Sequence, residues 1–204
     1  NQKSFDIYRN MYRAFGLGVA TGIDLPIESK GYSSVDKNAG NLLDFVMGQY
    51  ETYTPMQLSQ YISTIANSGK RMRPHLLKEV RKATDDLSLG DILMSYKSEL
   101  LNTVNVREEN MRRVQEGFYA VMHMAGGYGR GYTDDRLDAA GKTGTSQSFI
   151  DTDNDGIIDT ETITTSFIGY APYNDPKITF MVTSPNSSHL TSSSSYMSLV
   201  NYRL

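Results

Sequence analysis

The stretch Ala139-Ala140-Gly141-Lys142-Thr143-Gly144-Thr145-Ser146-Gln147 decides how the rest of the chain is read. It sets one cation, three hydroxyls and two glycines within nine residues, and it leads into the β-favouring run Ser148-Phe149-Ile150. Glycine inside a strand pattern marks close approach by another backbone or by a ligand. Backbone crowding alone does not call for a lysine beside two threonines. An anion site on an edge strand does. There Lys142 supplies positive charge, Thr143 and Thr145 supply hydroxyl donors, and Gly144 omits the side chain that would obstruct a ligand.

Outward from this stretch, the sequence changes period. Downstream, Ile163, Thr165 and Phe167 alternate with Thr164, Ser166 and Ile168, and Ile178, Phe180 and Val182 alternate with Thr179, Met181 and Thr183. That is strand periodicity, broken by the turn Ala171-Pro172-Tyr173-Asn174-Asp175-Pro176. Upstream the period is helical. Phe5, Tyr8, Met11, Tyr12 and Phe15 predict an amphipathic helix over 4–15, ended by Gly16 and Gly18. Thr54, Pro55 and Gln57 form a capping box with proline at the first helical position, and Leu58, Tyr61, Ile62 and Ile65 form the stripe that Gly69 closes. A second capping box is expected at Asn105 and Glu108, opening a helix through Met111, Val114, Phe118, Val121 and Met122 that stops at Gly126-Gly127. Residues 28–41 read as surface loop, 70–80 as extended and 81–101 as irregular or partly helical. Ser192 to Ser195 reads as a loop, and Tyr196 to Leu204 as the opening of a last helix. Helices followed by three successive antiparallel strands make an α+β fold.

At 204 residues the chain suits one large domain or part of a bigger one. Its 39% hydrophobic and 21% charged content is that of a globular protein. With 20 basic and 23 acidic residues and no basic patch, nucleic acid loses its electrostatic motive as a partner. The absence of cysteine excludes disulfides, thiol catalysis and cysteine-ligated metal, and it fits an extracytoplasmic bacterial domain. No apolar run approaches about 20 residues, so no membrane segment is expected in this chain. The chain starts at Asn1 with no signal peptide and enters helical sequence at once, which reads as a processed piece anchored through a segment elsewhere.

Taken together, the motifs resemble the transpeptidase domain of class B penicillin-binding proteins. The resemblance runs in order through Phe15-Gly16-Leu17-Gly18, Thr21-Gly22-Ile23-Asp24-Leu25-Pro26, Gly48-Gln49, Thr54-Pro55-Met56-Gln57-Leu58 and Ile65-Ala66-Asn67-Ser68-Gly69. It continues through Arg73-Pro74-His75, Ala140-Gly141-Lys142-Thr143-Gly144-Thr145 and Phe167-Ile168-Gly169-Tyr170-Ala171-Pro172, so that roughly residues 5–187 are covered. The wording of these stretches leans toward enzymes of Gram-positive bacteria.

The resemblance implies a penicillin-binding protein/β-lactamase-like fold, with an antiparallel sheet flanked by helices. It implies a membrane-anchored peptidoglycan D,D-transpeptidase outside the cytoplasmic membrane, which cross-links stem peptides ending in D-Ala-D-Ala through a serine acyl-enzyme and is blocked by β-lactams. No cofactor is implied. Lys142 and Thr145 map as catalytic, and Thr143, Gly144 and Thr145 as substrate-binding. Lys142 would polarise the site and attract the substrate carboxylate, Thr143 would hydrogen-bond it, and Thr145 would give its backbone N–H to the oxyanion hole. The family's nucleophile motif, Ser-x-x-Lys, should lie upstream of Phe15. Residues 1–204 therefore read as the C-terminal part of the domain, whose partner is the missing N-terminal part of the same protein and whose strand at Ile178–Thr183 pairs with it. Ser34-Val35-Asp36-Lys37 and Ser184-Pro185-Asn186 match family motifs formally but stand at the wrong places in the order. Alternatives of other kinds are a β-lactamase or β-lactam sensor of the same fold, against which the run from Thr54 to Gly69 argues, and a non-catalytic cell-wall scaffold.

Outside these motifs, Asp151, Asp153, Asp155 and Asp159 occupy positions 1, 3, 5 and 9 of a calcium-type loop with Gly156 at position 6. Position 12 is Thr162 rather than glutamate, and Asn-Asp-Gly is ordinary hairpin chemistry, so an acidic turn is the better reading and no metal is assigned. His75, His123 and His189 have no ligand-spaced partners and read as structural. Met111, Met122 and Met124 read as core. Tyr128 and Tyr132 either line a substrate groove or cover the sheet edge.

Overall fold

The computed structural model describes residues 2–33, 39–86 and 88–187. They fall into two compact units, one built from residues up to Thr64 and from Gly69–Asn105, the other from Ile65–Ser68 and the residues after Asn105.

The first unit opens with helix α1 (Gln2–Ala14). Its inward face is buried Phe5 and Arg9 with half-buried Tyr12, whereas Tyr8 and Met11 are exposed, so the stripe expected from the hydrophobic pattern is rotated. The cause is Arg9, whose Cζ sits 5.9 Å from the Phe5 ring centroid and 5.1 Å from that of Phe45, and whose Nε donates to Glu51 Oε1 at 2.7 Å. A cation with that partner and those rings tolerates burial. Phe45 comes from the short helix α2 (Leu42–Val46). The expected loop 28–41 contains a two-residue strand, β1 (Tyr32–Ser33), which pairs with β2 (Glu51–Thr52).

Helix α3 (Pro55–Ala66) starts and stops where the sequence says. The capping box is reciprocal: Gln57 N–H donates to Thr54 Oγ1 at 3.2 Å, and Thr54 N–H donates to Gln57 Oε1 at 2.9 Å. At the other end Ser68 N–H donates to Ile65 O and Gly69 N–H to Thr64 O, with φ positive at Ser68 and Gly69.

No described residue of 81–101 is helical: Arg81, Ile92–Ser95 and Leu100-Leu101 lie in strands and the other described residues are irregular. The strands of this region form two antiparallel pairs: β3 (Lys70–Met72) with β6 (Leu100–Thr103), and β4 (Glu79–Arg81) with β5 (Ile92–Ser95). The run Ile92-Leu93-Met94 is apolar without alternation and exposed throughout, so it carries no period from which a strand is legible.

In the second unit, helix α4 (Glu108–His123) begins with Arg107 as its extended cap residue and no side-chain cap. The capping box expected at Asn105 does not form, because Asn110 and Met111 N–H donate to Arg107 O, which starts the helix two residues later. Met111 and Met122 are buried as expected. Met124 is exposed, because it lies past the last turn with extended backbone.

Strands β7 (Ala140–Ile150), β8 (Thr160–Ala171) and β9 (Ile178–Ser187) form one antiparallel sheet in the order β7-β8-β9. β8 is central, and its last residues, Phe167 to Ala171, are all buried. Phe167 packs with Met122, Val121, Tyr132, Phe180 and Val182. The outer edges of β7 and β9 carry no strand among the described residues.

Candidate active site

Strand β7 holds Lys142, Thr143, Gly144 and Thr145 at a sheet edge, opposite Ile168, Phe167, Ser166 and Thr165 respectively. Directly opposed residues share a face, so Thr143 and Thr145 lie on the face of buried Phe167, and Lys142 and Gly144 on the other. Lys142 is exposed, and its Nζ donates to the Thr143 carbonyl.

The two glycines differ in what they accommodate. A Cβ on Gly141 would stand 2.9 Å from both Ile168 O and a Phe167 ring carbon, so packing alone explains this glycine. A Cβ on Gly144 would meet nothing nearer than Ser166 O at 4.0 Å. Packing among the described residues does not require glycine there.

The entry to β7 is pinned from α4 and from the turn after β8. His123 Nε2 lies 2.8 Å from the Ala139 carbonyl, which makes this nitrogen the donor. Its ring stacks on Tyr119 at 4.1 Å between centroids, and Tyr119 lies 4.6 Å from Tyr173, whose N–H donates to Asp138 O at 2.7 Å. His123 is structural, as expected. Tyr132 covers the sheet, edge-on to Phe167 at 5.6 Å, whereas Tyr128 projects into solvent. Buried Thr165 Oγ1, opposite Thr145, and buried Tyr170 Oη, opposite Ala140, have no hydrogen-bond partner among the described residues.

Ser34-Val35-Asp36-Lys37 and His189 lie outside the described residues. Ser184, in β9, bonds Ser187 Oγ at 2.9 Å and sits opposite Thr165. His75 Nδ1 meets Leu77 O at 3.0 Å.

In the acidic loop, carboxylate oxygens of Asp151, Asp153 and Asp159 lie within 4.8 Å of one another, and Asp155 is outside that group. The loop's own donors already engage the three grouped carboxylates: Gly156 N–H reaches Asp151 Oδ2 at 2.8 Å, Asp155 N–H reaches Asp153 Oδ1 at 3.2 Å, and Thr152 Oγ1 donates to Asp159. These bonds hold Asp151 and Asp159 below the usual aspartate range, Gly156 acting most strongly on the first and Thr152 on the second.

Sequence reasoning missed the two buried glutamines of α3 as anchors of a neighbouring loop. Gln57 Nε2 donates to Val19 O at 2.7 Å and Lys30 O at 3.1 Å, while Gln60 Nε2 donates to Thr21 O at 3.1 Å and Met72 O at 2.9 Å. A Cβ on Gly16 would collide with Gln60 Oε1, and φ there is +98°. The Phe-Gly-Leu-Gly segment and the loop after it therefore pack against the glutamines of α3, Gly16 against Gln60 and Val19 against Gln57. The glycines and glutamines were visible in the sequence, but their pairing was not.

The model of the penicillin binding protein transpeptidase domain matches residues 4–200. The chain belongs to this family. Penicillin-binding protein 2A of Bacillus subtilis is 43% identical over 182 residues, which cover 89% of this chain and 25% of that protein. Penicillin-binding protein 2B of Streptococcus pneumoniae is 35% identical over 193 residues, covering 93% of this chain and 28% of that protein. A solved structure of penicillin-binding protein 2B from S. pneumoniae strain R6 superposes with a TM-score of 0.80 at 32% identity, over 98% of this chain and 32% of the other. These relatives place the chain with class B transpeptidase domains, as a partial domain of the mixed helix and antiparallel-sheet fold expected from the sequence. It spans about a quarter of the length of the curated relatives it matches. Among the described residues, no helix of this transpeptidase-family chain is long and apolar enough to cross a membrane.

Proposed function

We propose that this chain is the substrate-strand part of a peptidoglycan D,D-transpeptidase, acting on stem peptides ending in D-Ala-D-Ala and acylated by β-lactams. The observation that carries the reading is the open β7 edge, where Lys142 is exposed and Gly144 leaves space that no described residue fills. An extended peptide lies along such an edge as an added strand, held by main-chain bonds. Lys142 draws the terminal carboxylate, the Thr143 hydroxyl donates to it, and the Thr145 N–H serves as one oxyanion donor, a group whose loss costs about 10²–10³ in rate. A relative from Haemophilus influenzae at 29% identity bears the name peptidoglycan D,D-transpeptidase MrdA, which supports this chemistry.

The reaction needs a serine activated by a base, and that serine's own N–H as the second oxyanion donor. We assign both to an N-terminal part of the same protein, anchored at the extracytoplasmic face of the cell membrane. These 204 residues alone then form no covalent adduct with penicillin. The test is intact mass after incubation with a fluorescent penicillin, for this chain and for a longer form carrying the upstream Ser-x-x-Lys motif. An adduct on the longer form only is expected. An adduct on Ser34 of this chain overturns the assignment.

A further inference from the structure

We propose that His123 is a positioning residue for the β7 site: its ring N–H, carried on a Gln115–Tyr119–His123 stripe of α4, fixes the backbone turn from which the Lys142 stretch is aimed. The inference rests on the transpeptidase reading of that stretch and gives a task within it to a residue outside the motifs.

The chain enters β7 through a kink. Asp138 has φ +46°, in the left-handed region that a residue with a side chain seldom occupies. From there Ala139, Ala140 and Gly141 lead to Lys142, and none of the three has a side chain long enough to anchor the backbone. The carbonyls do so instead. Tyr173 N–H donates to Asp138 O at 2.7 Å and His123 Nε2 to Ala139 O at 2.8 Å, just before the β7–β8 ladder begins at Ala140. Among the described residues β7 is paired on one side only, so little else opposes a shift at its entry.

Gln115, Tyr119 and His123 recur every four residues and share one face of α4. All three are half-buried, and each meets a defined partner. Gln115 Nε2 donates to Ile65 O at 2.7 Å. Tyr119 lies against the rings of His123 and Tyr173, with centroids 4.1 and 4.6 Å away. Met122, next to His123, brings its sulfur to 3.3 Å from where a Gly141 Cβ would stand. Consecutive residues of α4 therefore hold β7 at Ala139 and at Gly141. Ala139 is buried, and its carbonyl needs a donor of some kind. A ring nitrogen locked by stacking meets that need and also sets where the carbonyl stands.

Lys142 follows three residues after Ala139, and Thr145 three after that. A misplacement of about 1 Å at a reacting centre can cost about 10²-fold in rate, so a loosened entry is read as slower acylation of a chain that is still folded.

The test uses the longer form that carries the upstream Ser-x-x-Lys motif, with penicillin acylation measured at a temperature where each variant's own melt shows it fully folded. His123→Phe keeps a stacking ring and loses the donor, and is expected to acylate at least about tenfold more slowly than wild type. His123→Gln returns a donor without the ring, and is expected to acylate faster than His123→Phe. Tyr119→Leu keeps the donor but frees its ring, and is expected to slow acylation without touching Ala139. Wild-type acylation by His123→Phe, or by Tyr119→Leu if His123→Phe does not fold, overturns the proposal. So does a His123→Gln no faster than His123→Phe. Lys142→Ala, measured alongside, separates the two levels: wild-type acylation by that variant removes the site reading itself, whereas a slow Lys142→Ala beside a wild-type His123→Phe removes the positioning role alone.

Discussion

Arg9 and Glu51, 42 residues apart, form a nearly buried ion pair with 2.7 Å between Nε and Oε1. Ser33 Oγ also donates to Glu51 Oε1, and Tyr53 Oη to Oε2, each at 2.8 Å. Burial alone would raise the Glu51 pKa, but the hydrogen bonds from Arg9, Tyr53 and Ser33 with the Arg9 charge bring it below its ordinary 4.5. A carboxylate lowered in the folded state stabilises above its unfolded pKa, and that stability is lost as pH falls through the folded value. Urea midpoints of the wild type are therefore expected to fall below about pH 4.5, and those of Glu51→Gln to change less across the same window. Glu51→Ala leaves Arg9 buried without this partner and is expected to cost about 3 kcal/mol at neutral pH.

The two glycines of β7 separate packing from the proposed ligand contact. Gly141→Ala forces a methyl against Ile168 O and the Phe167 ring, with an expected cost of about 1–3 kcal/mol in a denaturant titration. Gly144→Ala meets open space and should leave the midpoint within about 0.5 kcal/mol of wild type. In a form that carries the nucleophile, Gly144→Ala is expected to slow penicillin acylation. Unchanged acylation there would show that nothing approaches the backbone at this point.

Lys142 is exposed and bonds only its neighbour's carbonyl among the contacts described, so Lys142→Ala should unfold at the wild-type temperature. Its acylation by penicillin in the longer form is expected to drop by at least about 10²-fold. Wild-type acylation by the variant would remove Lys142 from the site.

The acidic loop is expected to take calcium weakly, if at all, because backbone and hydroxyl donors within the loop already engage its carboxylates. A thermal melt in millimolar calcium should match the melt in chelator. A rise of several degrees would show that the three convergent carboxylates hold the ion.

His123→Ala removes the donor to Ala139 O and the ring stacked on Tyr119. Losing a half-buried hydrogen bond with its stack is expected to cost about 1–2 kcal/mol, whereas His123→Gln, which keeps a donor, should recover part of it. Denaturant midpoints of the two variants decide this.

What the sequence made legible was local. The Thr54–Gln57 cap is closed by residues three apart, and the β8 and β9 alternation is written residue by residue. The Lys142 stretch was recognisable because its chemistry sits within nine residues. What stayed hidden depends on distant partners. Arg9 turns α1 over because Glu51 and Phe45 wait for it far along the chain. Asn105 has the right side chain for a cap, yet the helix starts from Arg107 instead. The β4–β5 hairpin has no alternation to announce it, since it covers neither face with a core.

A sheet edge left open, as that of β7 is among the described residues, is open to any other strand, including the same edge of a neighbouring molecule. β7 meets that hazard with its own composition: between Gly141 and Gln147 it has no aliphatic or aromatic side chain, and its one long side chain there is a cation. Two β7 edges brought together antiparallel would gain little apolar contact and would bring like charges near each other. Lys142 is thereby a gatekeeper against a second protein strand, and under the proposed function the same charge would attract an anionic peptide.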